Sequence, residues 1–557
     1  MKGRLDFLYG RDKSAGISDR IQRLIQAFPP LPAVKVAAWS EKDVFLITYA
    51  DTLTSPGRPS IQVLDEFLRR RAGGLITLVH LLPFYPFTSD DGFAVTDFRK
   101  VRPDIGAWED IRGMGQRFRL CFDGVVNHVS AHSVYMKGYS EGNPAYSDFF
   151  ISLDPGTDTR SVLRTRGLPL LHPFQTPAGE KWLWTTFGPD QADLNYRNPG
   201  VLLEILGVLL FYVKNGASVI RLDAVPYLWK KLGTSCAHLA ETHELIKLIR
   251  AVLGLAAPRV LLLAETNAPF EDNTAYLGKG DEAHMIYNFN LAPLILYSIV
   301  KGDASYLTRW AGSMKPVPPG TTFLNVTATH DGIGMRPTEG ILPESARREL
   351  VRLAYDRKGE VTGRKNSDGS ISPYELNLNY FDAVNGPGSD EPVDAMVRRF
   401  MLSQAIPLAF KGIPGIYIQS LLGSRSNFEG MKQSGRARSI NRQSFDCHDV
   451  ENELDDPGHL RHKVFCECLR LLEIRKGENA FHPDAPQEIL DQGPGLFILR
   501  RAGKEGITAA YNVTAGERNL ALPAGRYLNL LSGRTEAVGV SGRPLAPLDF
   551  VWLKMRF

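Results

Sequence analysis

The chain has 557 residues, 43% of them apolar and 23% charged, with a formal net charge of +4 and a pI near 8.6. Such a length supports a large core and more than one domain, and the composition is that of a soluble globular protein. Lys and Arg form no runs, which gives no case for nucleic acid, and no apolar stretch is long enough to span a bilayer.

Five cysteines are too few and odd in number for a disulfide framework. The charged start, Met1 to Lys13, lacks the apolar segment of a signal peptide, so a cytoplasmic protein is expected. Residues 1–42 read as an N-terminal extension. Ser18 is placed to cap a helix carrying Ile21, Leu24, Ile25 and Phe28, which Pro29, Pro30 and Pro32 stop. From Val44 onward, strand-like and helix-like segments alternate. The strand segments are Val44–Tyr49, Leu75–Leu82, Arg119–Asn127, Ser218–Val225, Val260–Glu265, Met285–Phe289, Phe323–Thr329 and Ile406–Phe410, the last extending to Tyr417. Helical patterns such as Val201–Lys214 and Leu239–Leu253 fall between them. Eight such repeats predict an α/β fold, a (β/α)8 TIM barrel over residues 43–128 and 201–479.

Two connections are long enough to be functional loops. Residues 129–200, after the third strand, are expected to form a small inserted domain. Residues 332–395, after the seventh, are expected to form a lid-like excursion over the same face. Leu496–Arg501, Ile507–Asn512, Tyr527–Leu531 and Phe550–Met555, separated by Gly and Pro, predict an antiparallel β-domain at 480–557. Cys466 and Cys468 stand two apart in a helical pattern and face different sides, so no metal site is expected there.

The expected strand ends carry chemistry: Asp51, Pro83-Phe84, Asn127-His128, Asp223, Glu265 and His330-Asp331. In a barrel of this kind the active site lies at those ends. Retaining glycoside cleavage needs two carboxyl groups about 5 Å apart, one nucleophile and one acid/base. A third carboxylate can stabilise the oxocarbenium-like transition state. Arg221 alternates with Asp223 along one strand, so both point to the same side and the cation keeps that carboxylate ionised. Glu265 follows an apolar run that raises a carboxyl pKa, as a general acid requires. His128 and His330 are candidates to hydrogen-bond sugar hydroxyls.

Asp123-Gly124-Val125-Val126-Asn127-His128, Arg221-Leu222-Asp223-Ala224-Val225, Glu265 and Thr329-His330-Asp331-Gly332-Ile333-Gly334 resemble the four conserved regions of the α-amylase superfamily, the family 13 glycoside hydrolases. The resemblance implies Asp223 as nucleophile, Glu265 as acid/base and Asp331 as transition-state stabiliser. Within that superfamily the chain is similar to the sucrose phosphorylase branch. The segments that carry this are Ile47-Thr48-Tyr49-Ala50-Asp51, Leu82-Pro83-Phe84-Tyr85-Pro86-Phe87 with Ser89-Asp90-Asp91-Gly92-Phe93, the His330 to Gly334 turn, and Arg438-Ser439-Ile440-Asn441-Arg442. The resemblance implies that Asp90 and Arg438, closing the pocket as a pair, bind the far hydroxyls of one glucosyl unit. Phe93 and Phe187 wall the pocket, and Gln191 and Arg221 complete the substrate contacts. It also implies that phosphate, held by Arg166 and Tyr374, takes the place of water, and that neither calcium nor an organic cofactor is needed.

Two departures narrow the acceptor. Thr165 stands where sucrose phosphorylases carry Pro, and Met335-Arg336-Pro337 stands where they carry an aliphatic residue. The runs Leu168 to Phe174 and Arg336 to Pro343 look more like glucosylglycerate phosphorylases. Arg336, with Arg164 and Arg166 on the facing loop, favours an anionic acceptor such as glycerate over fructose. The expectation is a glycoside phosphorylase of the hexosyltransferase type, a monomer or homodimer. Its partners are small molecules, a glucoside and inorganic phosphate, with no nucleic acid and no membrane. Sucrose and sucrose 6′-phosphate phosphorylase stay open as alternatives. A hydrolase or transglucosidase would dispense with phosphate, and a non-catalytic carbohydrate-binding protein would have no need of all three carboxylates.

Overall fold

The computed structural model describes residues 1–29, 38–366, 368–388, 390–502 and 506–556. Eight parallel strands close on themselves: β1 Phe45–Thr48, β2 Leu78–Leu81, β3 Arg119–Gly124, β4 Ala217–Leu222, β5 Leu261–Ala264, β6 Met285–Asn288, β7 Thr322–Asn325 and β8 Ile413–Tyr417. Each pairs with its sequence neighbours, and β1 pairs with both β2 and β8. Nearly every strand residue is buried, because helices cover the outside and side chains fill the inside. That explains why the strands read as continuous apolar runs.

Register sets the chemistry. Arg221 on β4 lies opposite Asp123 on β3 and Leu263 on β5, so its guanidinium enters the barrel one step below the strand ends. His80 on β2 hydrogen-bonds Asp123 at 2.8 Å from the other side. Arg221 and Asp123 are fully enclosed, and a charge so placed persists only when paired.

The first strand-eight segment differs from expectation. Ile406–Phe410 is not a strand: Val393–Ala409 is one helix, with Pro407 inside its last turn. The strand begins only after Gly412, whose φ of +128° suits glycine and where a Cβ would meet the Phe323 carbonyl oxygen at 2.7 Å. A short apolar run bears no mark that separates a buried strand from a buried helix end.

After β3 the chain makes a small antiparallel sheet of Ser152–Leu153, Leu171–Thr176 and Gly179–Trp184, and Gln191–Asp193 pairs with His128–Ser130. After β7, Glu360–Lys365 and Ile371–Asn377 form a hairpin whose second arm pairs with Ile333–Gly334. At the C-terminal end, six antiparallel strands between Gln487 and Arg556 form one sheet. At the N-terminus, Lys2–Tyr9 and Arg11–Ala27 are helices. Ser18 sits mid-helix and is no cap; Gly10, at φ +81°, begins the second helix instead. Pro30 and Pro32 lie outside the described residues. The two helices pack on Ala240–Ala256, and Arg4 reaches Asp281 at 2.8 Å and Glu244 at 3.4 Å. Among the described residues no helix is long and apolar enough to cross a membrane.

Candidate active site

A pocket opens at the C-terminal ends of the barrel strands. Asp223, Glu265 and Asp331 line it together with Asp90, Phe93, His128, Phe187, Gln191, Arg221, His330, Arg438, Arg166 and Tyr374. These thirteen residues, expected from different parts of the sequence, share one wall. Arg164 and Arg336 stand outside the lining. The Arg164 guanidinium donates to the Leu168 carbonyl, and Arg336 lies behind Asn267, donating to its carbonyl at 3.3 Å.

Three positions around the site hold left-handed backbone without being glycine: Asp90, Asp91 and Ala224, with φ of +54°, +50° and +50°. Such conformations cost about 1 kcal/mol or more each and persist where surrounding structure imposes them. At Ala224 the result is visible. The turn aims its backbone N–H at the Glu265 carboxylate, 3.0 Å away, and so ties the end of β5 to that of β4.

Arg221 organises the carboxylates. It lies 2.9 Å from Asp223 and 3.8 Å from Glu265 and also pairs with Asp123. Burial raises both Asp223 and Glu265; the charge of Glu265 adds to the rise of Asp223, and that of Asp331 to the rise of Glu265. Arg221 is nearer Asp223 and favours the charged form there more than on Glu265. Asp331 differs. Burial works to raise it, but Arg438, His330 and Arg442 outweigh that and hold it well below the usual carboxylate range.

The remaining wall residues are locked. Phe93 stacks on His330 with ring centres 4.9 Å apart and planes within 6°. Phe187 packs between His128 and Tyr227 at 5.1 and 5.7 Å. His128 reaches the Phe93 carbonyl at 2.9 Å and Gln191 at 3.2 Å. Burial pushes His330 down to about 3 and also lowers His128, so both rings are neutral near pH 7 and able to donate and accept with sugar hydroxyls.

The expected Asp90–Arg438 pair is not formed. Arg438 is taken by Asp331 at 2.6 Å and Glu375 at 2.7 Å. Asp90 faces Arg166 at 3.3 Å, Gln191 at 3.3 Å and Arg442 at 4.0 Å. Geometry at the strand-eight motif explains this: the 3₁₀ turn Ala437–Asn441 turns Arg438 toward the hairpin after β7, and Arg442, at its far end, looks at Asp90, Asp91 and Asp331. Glu375, Arg442, Tyr227 and Asn267 are site residues that sequence reasoning missed. Arg442 was visible as the second arginine of its motif; Glu375 lies on the second arm of the hairpin after β7, and Tyr227 and Asn267 lie on turns or irregular segments without periodic signal. Among the described residues no group of three His, Cys, Asp or Glu side chains is arranged to hold a metal ion.

Residues 74–312 match the α-amylase catalytic domain. A glucosylglycerate phosphorylase of Allomeiothermus silvanus is 47% identical over 511 residues, spanning 92% of this chain and 91% of that protein. The chain belongs to the family of glucosylglycerate phosphorylases. A second member, from Escherichia coli K12, is 40% identical over 557 residues and 99% of both chains are covered. The crystal structure of sucrose 6F-phosphate phosphorylase from Thermoanaerobacter thermosaccharolyticum superposes with a TM-score of 0.74 at 24% identity, covering 92% of this chain and 99% of that one. It shares the barrel fold. The family thus sits in the sucrose phosphorylase branch of the α-amylase superfamily, and its members are glycoside phosphorylases.

Proposed function

We propose that this protein is a retaining glycoside phosphorylase that cleaves 2-O-α-glucosyl-D-glycerate with phosphate to give α-glucose 1-phosphate and D-glycerate. The observation that carries the chemistry is the contact of one buried guanidinium, Arg221, with both Asp223 and Glu265. It favours the charged form on Asp223 over that on Glu265 and brings the two carboxyls to one cation, which supports double displacement. Asp223 attacks the anomeric carbon while Glu265 gives its proton to the leaving glycerate oxygen, so the glycosidic bond breaks and a glucosyl ester forms on Asp223. Asp331 offsets the positive charge that develops on the sugar ring. Glu265, now ionised, takes a proton from the incoming phosphate. A phosphate oxygen displaces Asp223 from the opposite face and restores the α-configuration.

His128, His330, Gln191 and Arg221 face the glucosyl unit, Phe93 and Phe187 wall it, and Asp90 marks the floor with the Arg438–Asp331 pair beside it. Arg166 and Tyr374, at the mouth, receive phosphate. Arg164 supports the same loop from behind, and Arg336 supplies positive charge on the acceptor side. The 47% identical relative named for glucosylglycerate supports the acceptor.

The test is a synthesis assay with α-glucose 1-phosphate and D-glycerate, fructose, fructose 6-phosphate or glycerol, read as phosphate release. D-glycerate is expected to be fastest, and Asp223→Asn is expected to abolish turnover. Faster release with fructose or fructose 6-phosphate would reassign the acceptor. Release without any acceptor at the same rate would leave a hydrolase.

A further inference from the structure

The first helix, Lys2–Tyr9, ends on a tyrosine that reaches two segments remote from each other in the sequence. The Tyr9 hydroxyl donates to the Tyr196 carbonyl at 3.0 Å. Its ring packs on Trp229, with ring centres 6.2 Å apart and planes at 59°. Burial raises the Tyr9 phenol well above its usual range, so the hydroxyl stays a donor. Tyr196 stands in the turn that leads from the excursion after β3 into the helix Pro199–Lys214. Trp229 stands in the segment after β4, and both side chains are buried. The helix that carries Tyr9 is itself anchored: Leu5 is fully enclosed, and Arg4 pairs with Asp281 and Glu244.

The two segments that Tyr9 joins hold one wall of the pocket. Next to Trp229, the Lys230 ammonium lies 2.6 Å from Asp193 and 2.8 Å from Asn127 Oδ1. Three residues before Tyr196, Asp193 accepts from the N–H and the hydroxyl of Thr186, each at 2.7 Å, and from the Asn127 amide at 3.0 Å. The Tyr196 hydroxyl donates to the Val126 carbonyl at 2.8 Å, and the Leu194 N–H to the Asn127 carbonyl at 2.9 Å. Each anchor adjoins a residue that lines the pocket. Asn127 precedes His128, Thr186 precedes Phe187, and Asp193 lies opposite His128 in the register that sets Gln191 opposite Ser130. Side chains in a site keep their geometry only when the groups behind them are held by packing and hydrogen bonds.

We infer that Tyr9 is a positioning residue for the glucosyl side of the pocket. It pins the Tyr196 turn to the Trp229 ring and so sets the spacing of Asp193 and Lys230, and through them the placement of His128, Gln191 and Phe187. This rests on the functional reading above, in which those three residues face the glucosyl unit, and it gives the first helix a part in that reading. Arg336 and Tyr374, assigned there to acceptor and phosphate, belong to the chain after β7, where the hairpin pairs with Ile333–Gly334. Loss of Tyr9 therefore acts on the sugar and spares the acceptor.

The experiment compares Tyr9→Phe, which keeps the ring on Trp229 and removes the hydrogen bond, with Tyr9→Ala, which removes both. Kinetics are run in the synthetic direction with α-glucose 1-phosphate and D-glycerate, at a temperature where circular dichroism shows each variant folded. KM for α-glucose 1-phosphate is expected to rise about two- to five-fold in Tyr9→Phe and about ten-fold in Tyr9→Ala, the range that one neutral hydrogen bond spans. KM for D-glycerate is expected to stay within two-fold. Amide hydrogen exchange is expected to quicken in the paired segments His128–Ser130 and Gln191–Asp193. Should Tyr9→Ala fail to fold, Tyr9→Phe decides. Equal rises in both KM values would show general loosening and overturn the positioning role. Faster exchange with both KM values unchanged would make Tyr9 a residue of stability alone and overturn it as well. A wild-type enzyme that releases no phosphate from α-glucose 1-phosphate with any acceptor overturns the functional reading instead, independently of the variants.

Discussion

Arg438 grips two carboxylates at once, Asp331 at 2.6 Å through Nη1 and Glu375 at 2.7 Å through Nη2. Its effect on them is unequal. Burial and the charge of Asp331 push Glu375 up, while Asp331, which also feels His330 and Arg442, stays well below the usual range. The arginine thus keeps Asp331 ionised, which the proposed mechanism needs where the sugar ring becomes positive. In Arg438→Gln that support is lost and the Asp331 pKa rises. Activity that needs ionised Asp331 then disappears at a higher pH as the solution is acidified. The acidic limb of the kcat/KM profile is expected to move up, and kcat to fall about 10²–10³-fold, the usual effect of one lost electrostatic contact in a closed site. A pH–rate series on the variant measures both. An acidic limb left in place would assign that limb to another group.

On the proposed mechanism the basic limb is expected to follow Glu265. Burial raises it, and Asp331 adds to that against Arg221 and the Ala224 N–H. Its acid role is present while it holds a proton and is lost as pH rises through the raised pKa, so kcat/KM is expected to fall on the alkaline side in step with that group. Glu265→Gln is expected to cost about 10²–10⁴-fold with a glycerate leaving group. With α-glucosyl fluoride, whose leaving group needs no proton, formation of the glucosyl-enzyme is expected to survive. Mass spectrometry of the intact protein would detect that ester. An equal loss with both substrates would remove Glu265 from the acid role.

Much of this was legible before folding. Arg221 and Asp223 share a strand face, so their pairing followed from alternation alone. The apolar run before Glu265 foretold its raised pKa. What could not be read was partnership across loops. Arg438 and Arg442 stand four apart in one motif, and nothing in their spacing tells which meets Asp90. The answer depends on how the hairpin carrying Glu375 folds back over the barrel. Ile406–Phe410 failed for a different reason, because burial on all sides removes the periodicity that separates helix from strand. Lys230 gave no signal at all, since a lysine after a tryptophan reads as surface.

Lys230 is in fact enclosed. Its ammonium lies 2.6 Å from Asp193 and 2.8 Å from Asn127 Oδ1, and Asp193 also accepts from the Thr186 N–H at 2.7 Å. The three partners come from the end of β3, the segment after β4 and the excursion that carries Phe187. Lys230→Met leaves Asp193 charged, buried and unpaired, which costs about 3–5 kcal/mol. A fall in urea midpoint equal to that loss divided by the m-value is expected. Limited proteolysis is expected to cut first within 129–200. An unchanged midpoint would show that Asp193 is neutralised in another way.

The last expectation concerns the second half-reaction. Arg166 is the pocket cation least committed to a partner: its guanidinium is 3.3 Å from Asp90, 5.9 Å from the centre of the Phe187 ring, and about a third exposed. Arg221 is consumed by three carboxylates and Arg438 by two, so in the proposed mechanism a phosphate arriving at the glucosyl-enzyme has Arg166 and the Tyr374 hydroxyl to meet. A charged hydrogen bond of this kind contributes about 1.5–3 kcal/mol, which corresponds to about ten- to more than hundred-fold in affinity. Arg166→Ala is therefore expected to raise KM for phosphate by that factor, with Arg166→Lys intermediate because an ammonium keeps the charge and loses the fork. The contact with Asp90 offers a competing role, orientation of the glucosyl floor. The two roles separate cleanly. Loss of phosphate binding leaves the first step intact, so the glucosyl-enzyme forms at its normal rate and drains to water, raising the ratio of hydrolysis to phosphorolysis. Loss of the floor slows the first step and leaves that ratio alone. A stopped-flow burst with α-glucosyl fluoride, followed by product analysis at several phosphate concentrations, reads both quantities. A slowed burst with an unchanged ratio would assign Arg166 to the sugar and leave phosphate to Tyr374.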